Sequence, residues 1–148
     1  EGGARIAKVP EVLLRWSDRP QRLTRNDPRY REDAIWRLKG AHFGRWAQHR
    51  LSPARPLLIW GSGRRSRVRL SHVPEIGARF PVAAYLDIDP DKIGRKVGDT
   101  PVLAPSSLED YPDAFVIANV GSRGARGQIR SWLERLGRKE GADFIFLA

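Results

Sequence analysis

Short, continuous apolar runs punctuate the chain from residue 57 onward: LLIW at 57–60, VAAYLDI at 82–88, AFVIANV at 114–120 and DFIFLA at 143–148. Runs of this length, bounded by Gly, Pro and charged residues, read as strands covered on both faces rather than as the alternating pattern of a half-exposed sheet. Between them the pattern turns helical. Arg64 to about Val73 predicts a helix that Pro74 and Gly77 end, and RGQIRSWLERLG at 126–137 predicts a second, closed by Gly137. PVLAPSSLEDY at 101–111 reads as a short strand followed by a helical turn, with Ser106 or Ser107 as cap and Glu109 and Asp110 near its positive end. Strands separated by helices imply a small three-layer α/β domain with a mostly parallel sheet.

The first third has a different rhythm. Ser52, Pro53 and Pro56 interrupt any helix and mark a boundary, giving an N-terminal segment of 1–56 and an α/β unit of 57–148. Within the segment, Asp27-Pro28 reads as a cap and first helical position. The residues that follow place apolar side chains at 35, 38, 42/43 and 46, the stripe of one amphipathic helix over about 28–48. Gly40 and Gly44 lie four apart on that helix, where they permit close approach of another backbone.

Composition narrows the picture. Of 148 residues none is cysteine, which excludes disulfides and thiolate metal sites and points to a cytoplasmic protein. No apolar run approaches the ~20 residues of a membrane-spanning helix. The chain opens on Glu1 and has no methionine, so residue 1 is expected to be a cut point in a longer protein. The net charge of +10 is unevenly spread: 13 Lys and Arg face 6 Asp and Glu in residues 1–56, against 14 and 11 in residues 57–148. Arginine and tryptophan interleave in the basic third, but no nucleic-acid motif accompanies them, so specific nucleic-acid recognition is not expected.

RPLLIWGSGRRSR, residues 55–67, is the stretch with the most chemistry. In a dinucleotide-binding fingerprint the first glycine makes a tight turn, and the second lets a pyrophosphate reach the backbone where the helix begins. Gly61 and Gly63 fit those positions, Ser62 lies between them, and Arg64 and Arg65 add positive charge. Ser66 stands where a third glycine is usual. The fingerprint further expects an acidic residue at the end of the second strand. Asp87 meets that expectation, while Asp89-Pro90-Asp91 reads as a turn. A third loop, NVGSRGARGQ at 119–128, offers Gly121, Ser122 and Arg123, with Arg126 beyond. All three loops follow strands, the edge at which open α/β sheets bind ligands. Two readings stand at this point, a phosphate cradle and a set of turn glycines.

Nothing here predicts catalysis or a metal. His42, His49 and His72 have no carboxylate or cysteine partners at ligand spacing, and Ser66 and Ser122 lack the setting of a hydrolase nucleophile.

The stretch VPEVLLRWSDRPQRLTRNDPRY at 9–30, with RLKGAHF after it, resembles the tail of the catalytic domain of bacterial family 2 glycosyltransferases. Residues 57–148 are similar to the Rossmann-like domain carried behind such catalytic domains, and to the nucleotide-sugar-binding N-terminal domain of sugar acyltransferases, which shares the pattern K-x-G-x-x-x-G-x-x-P-V-L. The resemblance implies a C-terminal accessory fragment of a transferase, joined to an upstream catalytic domain and binding a nucleotide or nucleotide-sugar without catalysing transfer alone. It also makes Arg15 and Arg22, in a stretch with Trp16 and Thr24, candidates for diphosphate contacts. Two alternatives remain: an NAD(H)-binding redox or sensor module, which Asp87 favours, and a purely structural or interaction domain.

Overall fold

Two hydrophobic clusters, one on each side of a six-stranded sheet, organise the protein. The computed structural model describes residues 11–15 and 19–148. After α1 (Leu23–Asn26) and a 3-10 turn at Pro28–Tyr30 comes the long helix α2 (Glu32–Arg50), then β1 (Leu57–Trp60), α3 (Arg64–Leu70), α4 (Glu75–Ala78) and β2 (Val82–Leu86). The chain continues through β3 (Lys96–Val97), β4 (Thr100–Leu103), a 3-10 helix at Pro105–Asp110, β5 (Phe115–Ala118), α5 (Ala125–Arg135) and β6 (Phe144–Phe146). The spatial order is β3-β4-β2-β1-β5-β6, parallel except for the antiparallel β3–β4 pair at one edge. This is the α/β architecture expected, with β3 the strand that the sequence pattern did not mark.

Side chains alternate between two covered faces along the central strands, as the pleat requires. Leu57, Ile59, Phe115 and Ile117 face the cluster covered by α2 and α3; Leu58, Trp60, Val116 and Ala118 face the one covered by α5 and the Pro105–Asp110 helix. β1 and β5 are therefore buried at every position, which is why they read as unbroken apolar runs.

Helix α2 departs from the expected stripe. Its buried residues are Trp36, Gly40, Phe43, Gly44 and Ala47, whereas Ile35 and Leu38 face solvent, Leu38 at 61% exposure. The glycines explain the rotation. A β-carbon at Gly40 would collide with the His72 carbonyl oxygen, so α2 sits against the chain leaving α3 at a distance only glycine permits, and one at Gly44 would displace the Glu75 carboxylate. Trp36, Phe43 and Ala47 share one core with Leu57, Ile59 and Phe115, and Lys39 Nζ donates to the Leu147 carbonyl at 2.6 Å. The helix of the N-terminal segment thus packs on the sheet of residues 57–148.

Gly137 ends α5 in a left-handed conformation, φ +74°, with the Arg138 amide returning to the Leu133 carbonyl at 3.0 Å. The buried Arg138 guanidinium then donates to the carbonyls of Ala114 and Tyr111, both at 2.6 Å, tying α5 to the loop before β5.

Candidate functional site

Register brings the three loops together. Trp60 lies opposite Leu86 on one side and Ala118 on the other, so β1, β2 and β5 end at one level and Gly61, Asp87 and Asn119 begin their loops side by side. The Gly61 amide donates to the Leu86 carbonyl at 2.8 Å and the Asn119 amide to the Trp60 carbonyl at 2.9 Å, extending the pairing one residue past the strands. β1 is also the point from which the sheet is built outward in both directions, through β2 and through β5. A crevice opens at such a switch point.

That crevice is a cleft of about 490 Å3. One wall is the turn after β1, a second is the Asp87–Lys92 loop, and a third is the loop after β5 with the first turns of α5. Its apolar floor includes Trp60, Ile129 and Trp132; the two indoles meet edge to face with centroids 6.4 Å apart.

The two glycines of the first turn differ. Gly61 adopts φ +116°, and a β-carbon there would lie 3.0 Å from both Ser66 Oγ and Val120 Cγ2, so backbone and packing together demand glycine. Gly63 has φ −60° and ψ 155°, a conformation open to any residue, and a β-carbon would meet nothing within 4 Å. The fold does not require that glycine. Gly63 lines the cleft, and the space beside it is open.

Ser62 is buried and turned inward. Its amide and hydroxyl both donate to Asp87 Oδ2, at 3.1 and 2.5 Å, while Asp87 Oδ1 accepts from the Asp89 amide at 3.1 Å. Lys92 Nζ stands 3.6 Å from Asp87 Oδ2 and 2.9 Å from Asp89 Oδ2. Burial disfavours the Asp87 carboxylate, yet the Ser62 hydroxyl, the Asp89 and Ser62 amides and Lys92 outweigh it and hold the carboxyl below its usual range. Asp87 is therefore an ionised group at the cleft wall. Asp89 Oδ1 accepts from the Asp91 amide at 3.1 Å, the turn expected of it.

Ser66, in place of a third glycine, joins helix to strand by a reciprocal pair: its hydroxyl donates to the Asn119 carbonyl and the Asn119 side-chain amide to the Ser66 carbonyl, both at 2.8 Å. The hydroxyl occupies space a glycine would leave empty, and the two bonds fix α3 against β5. Among the described residues the buried Asn119 Oδ1 has no hydrogen-bond partner.

Of the candidate binding residues, Gly61, Gly63, Asp87 and Ser122 line the cleft, and Ser62 stands behind its wall. Gly121 packs on Arg69 instead. Arg64, Arg65 and Arg123 are exposed and outside the lining, Arg65 lying 3.8 Å from Glu32 on the side of α2. Arg15 and Arg22 are not in the lining either, and Trp16 falls outside the described residues. Sequence reasoning missed Lys92, Asn119, Gln128 and the two tryptophans. Only Asn119, a polar residue closing an apolar run, carried a local signal. Among the described residues no group of three or more His, Asp or Glu could hold a metal, and no helix is long and apolar enough to cross a membrane.

No protein-family model matches the chain, and no curated protein matches it. Among solved structures, the crystal structure of RSP, a Rex-family repressor, aligns with a TM-score of 0.50 and 17% identity over 72% of this chain and 58% of its own. RSP in complex with β-NADH aligns at 0.48 and 20% identity, covering 62% and 52% of the two chains. RSP with β-NAD+ and operator DNA aligns at 0.47 and 19%, covering 62% and 49%. This chain thus spans about half to three-fifths of the length of those proteins. At such identities the likeness concerns the fold, and the reading as a glycosyltransferase tail rests on the sequence resemblance alone. The strand order, the mostly parallel sheet and the alignment at a TM-score of 0.50 together make this a Rossmann-like α/β protein.

Proposed function

We propose that the cleft at the carboxyl ends of β1, β2 and β5 binds a nucleotide, with NAD(H) the first candidate, and that the module senses or holds this ligand without catalysing a reaction alone. Gly63 carries the reading. Neither its backbone angles nor its packing requires glycine, yet it lines the cleft with open space beside it, which suits a ligand phosphate approaching the main chain. Asp87 supports NAD(H) over NADP(H), because an ionised carboxylate at the end of the second strand accepts hydrogen bonds from a ribose diol and repels a 2′-phosphate. Trp60, Ile129 and Trp132 offer an apolar surface for a flat ring. Asp87, Asp89 and Lys92 bond to one another, an arrangement that holds charge in place rather than moving protons.

The test is calorimetric titration of the wild-type chain and Gly63→Val with NAD(H), NADP(H), UDP and UDP-sugars. NAD(H) binding that Gly63→Val abolishes, with NADP(H) at least about tenfold weaker, supports the reading. Binding of UDP-sugars but not NAD(H) moves the assignment to the accessory-domain reading implied by the glycosyltransferase and acyltransferase resemblance. If no nucleotide binds below millimolar concentration, the glycines shape turns and the domain is structural.

A further inference from the structure

Arg69 reaches from α3 to both α2 and the loop after β5. Its guanidinium carbon stands 5.3 Å from the centroid of the buried Trp36 ring, and Nε donates to Glu32 Oε1 at 3.0 Å. On another side it meets Gly121: a β-carbon there would lie 2.5 Å from Arg69 Nη1 and 3.4 Å from Cζ. Only 15% of the side chain is exposed. Gly121 has no positive φ that would demand glycine, so the absence of a side chain serves this contact. The hydrogen bond from Arg69 holds the Glu32 carboxyl below its usual range.

We infer that Arg69 is a positioning residue for the third wall of the cleft: packed between Trp36 and Gly121 and paired with Glu32, it fixes the loop after β5 from α2. Ligand occupancy and the docking of the first turn of α2 are then linked. A planar guanidinium can lie against a ring and a backbone while its edge bonds a carboxylate; a lysine ammonium cannot meet all three. A ligand that orders the Val120–Gly124 loop must in turn steady Arg69 and Glu32, because coupling between two sites acts equally in both directions. The occupancy half of this inference rests on the reading of the cleft as a nucleotide site; the positioning half does not.

Hydrogen exchange separates them. In the ligand-free protein, Arg69→Ala is expected to speed exchange about fivefold at amides 120–125 and 32–36 together, leaving β1 and β5 unchanged. Arg69→Lys should match Arg69→Ala. Gly121→Ala, which keeps Arg69 but displaces it, should raise exchange in 32–36 although the substitution lies in the loop after β5. Rescue by lysine, uniform acceleration across the sheet, or a Gly121→Ala effect confined to 120–125 overturns the positioning role. With NAD(H), the wild type should gain protection at 32–36 and Arg69→Ala should bind about fivefold more weakly. Failure of every nucleotide to bind the wild type overturns the occupancy half with the cleft reading, while the ligand-free exchange still decides the role of Arg69.

Discussion

The Asp87 carboxylate receives both the backbone amide and the hydroxyl of Ser62, at 3.1 and 2.5 Å, and so locks the loop after β2 to the turn after β1. One acid at a strand end thereby shapes two of the three walls of the cleft, and it does so as an anion.

Asp87→Asn should destabilise the protein by about 1–3 kcal/mol at pH 7, since an amide cannot accept from all the donors now aimed at the carboxylate. Because the folded carboxyl titrates below the unfolded value of about 3.9, the stabilisation is complete above that value and fades as pH falls through the folded one. Denaturant titrations of both proteins from pH 7 to pH 2 check this. The gap between them should narrow on the acid side, and a gap independent of pH would show that the charge is not what matters.

The two glycines of the first turn should separate cleanly. Gly61→Ala is expected to cost about 1–3 kcal/mol, from positive φ and from contacts at 3.0 Å to Ser66 and Val120. Gly63→Ala should be neutral or stabilising by up to about 1 kcal/mol, because it restricts the unfolded chain without straining the folded one. Thermal melts of the two variants give the comparison. Arg64→Ala, an exposed residue outside the cleft lining, should change nucleotide affinity by about 1 kcal/mol at most.

Helix α2 should behave as part of the core. Limited proteolysis is expected to cut first at exposed positions within 11–31 and to spare 36–50, whereas a segment merely appended at residue 57 would be lost whole. Trp36→Ala should cost about 3–5 kcal/mol in denaturant unfolding. Gly40→Ala should also destabilise markedly, since its methyl group meets the His72 carbonyl.

The charge of +10 should give only weak, sequence-independent binding to oligonucleotides, lost between about 50 and 200 mM salt. Much of the arginine is engaged within the protein: Arg55 donates to the carbonyls of Asp113 and Ala142 and pairs with Asp143, Arg130 pairs with Glu140, and Arg138 is buried among carbonyls. Fluorescence anisotropy with matched and scrambled duplexes tests this, and submicromolar binding with base preference at physiological salt would refute it.

Legibility followed burial. LLIW and AFVIANV announced themselves because a parallel strand covered on both faces has no polar alternation to hide it, and four apolar runs with helices between them leave few architectures. The loops that line the cleft were legible too, since ligand crevices lie beyond strand ends and Gly61, Asp87 and Ser122 all follow strands.

What the sequence determined by itself, then, was the alternation of elements, the sheet they form and the edge at which a site would lie, because these follow from local periodicity and chain order. Tertiary structure alone decided which face of α2 is buried, because glycine contributes nothing to a hydrophobic stripe yet sets how near two backbones can come. It alone set Gly61, held by its angles, apart from Gly63, held by nothing in the fold. It alone turned Ser62 inward to Asp87 and Arg65 away from the cleft, and placed Arg69 between Trp36 and Gly121, residues 85 positions apart in the chain. Side-chain direction and contacts across such separations depend on packing, which no local pattern encodes.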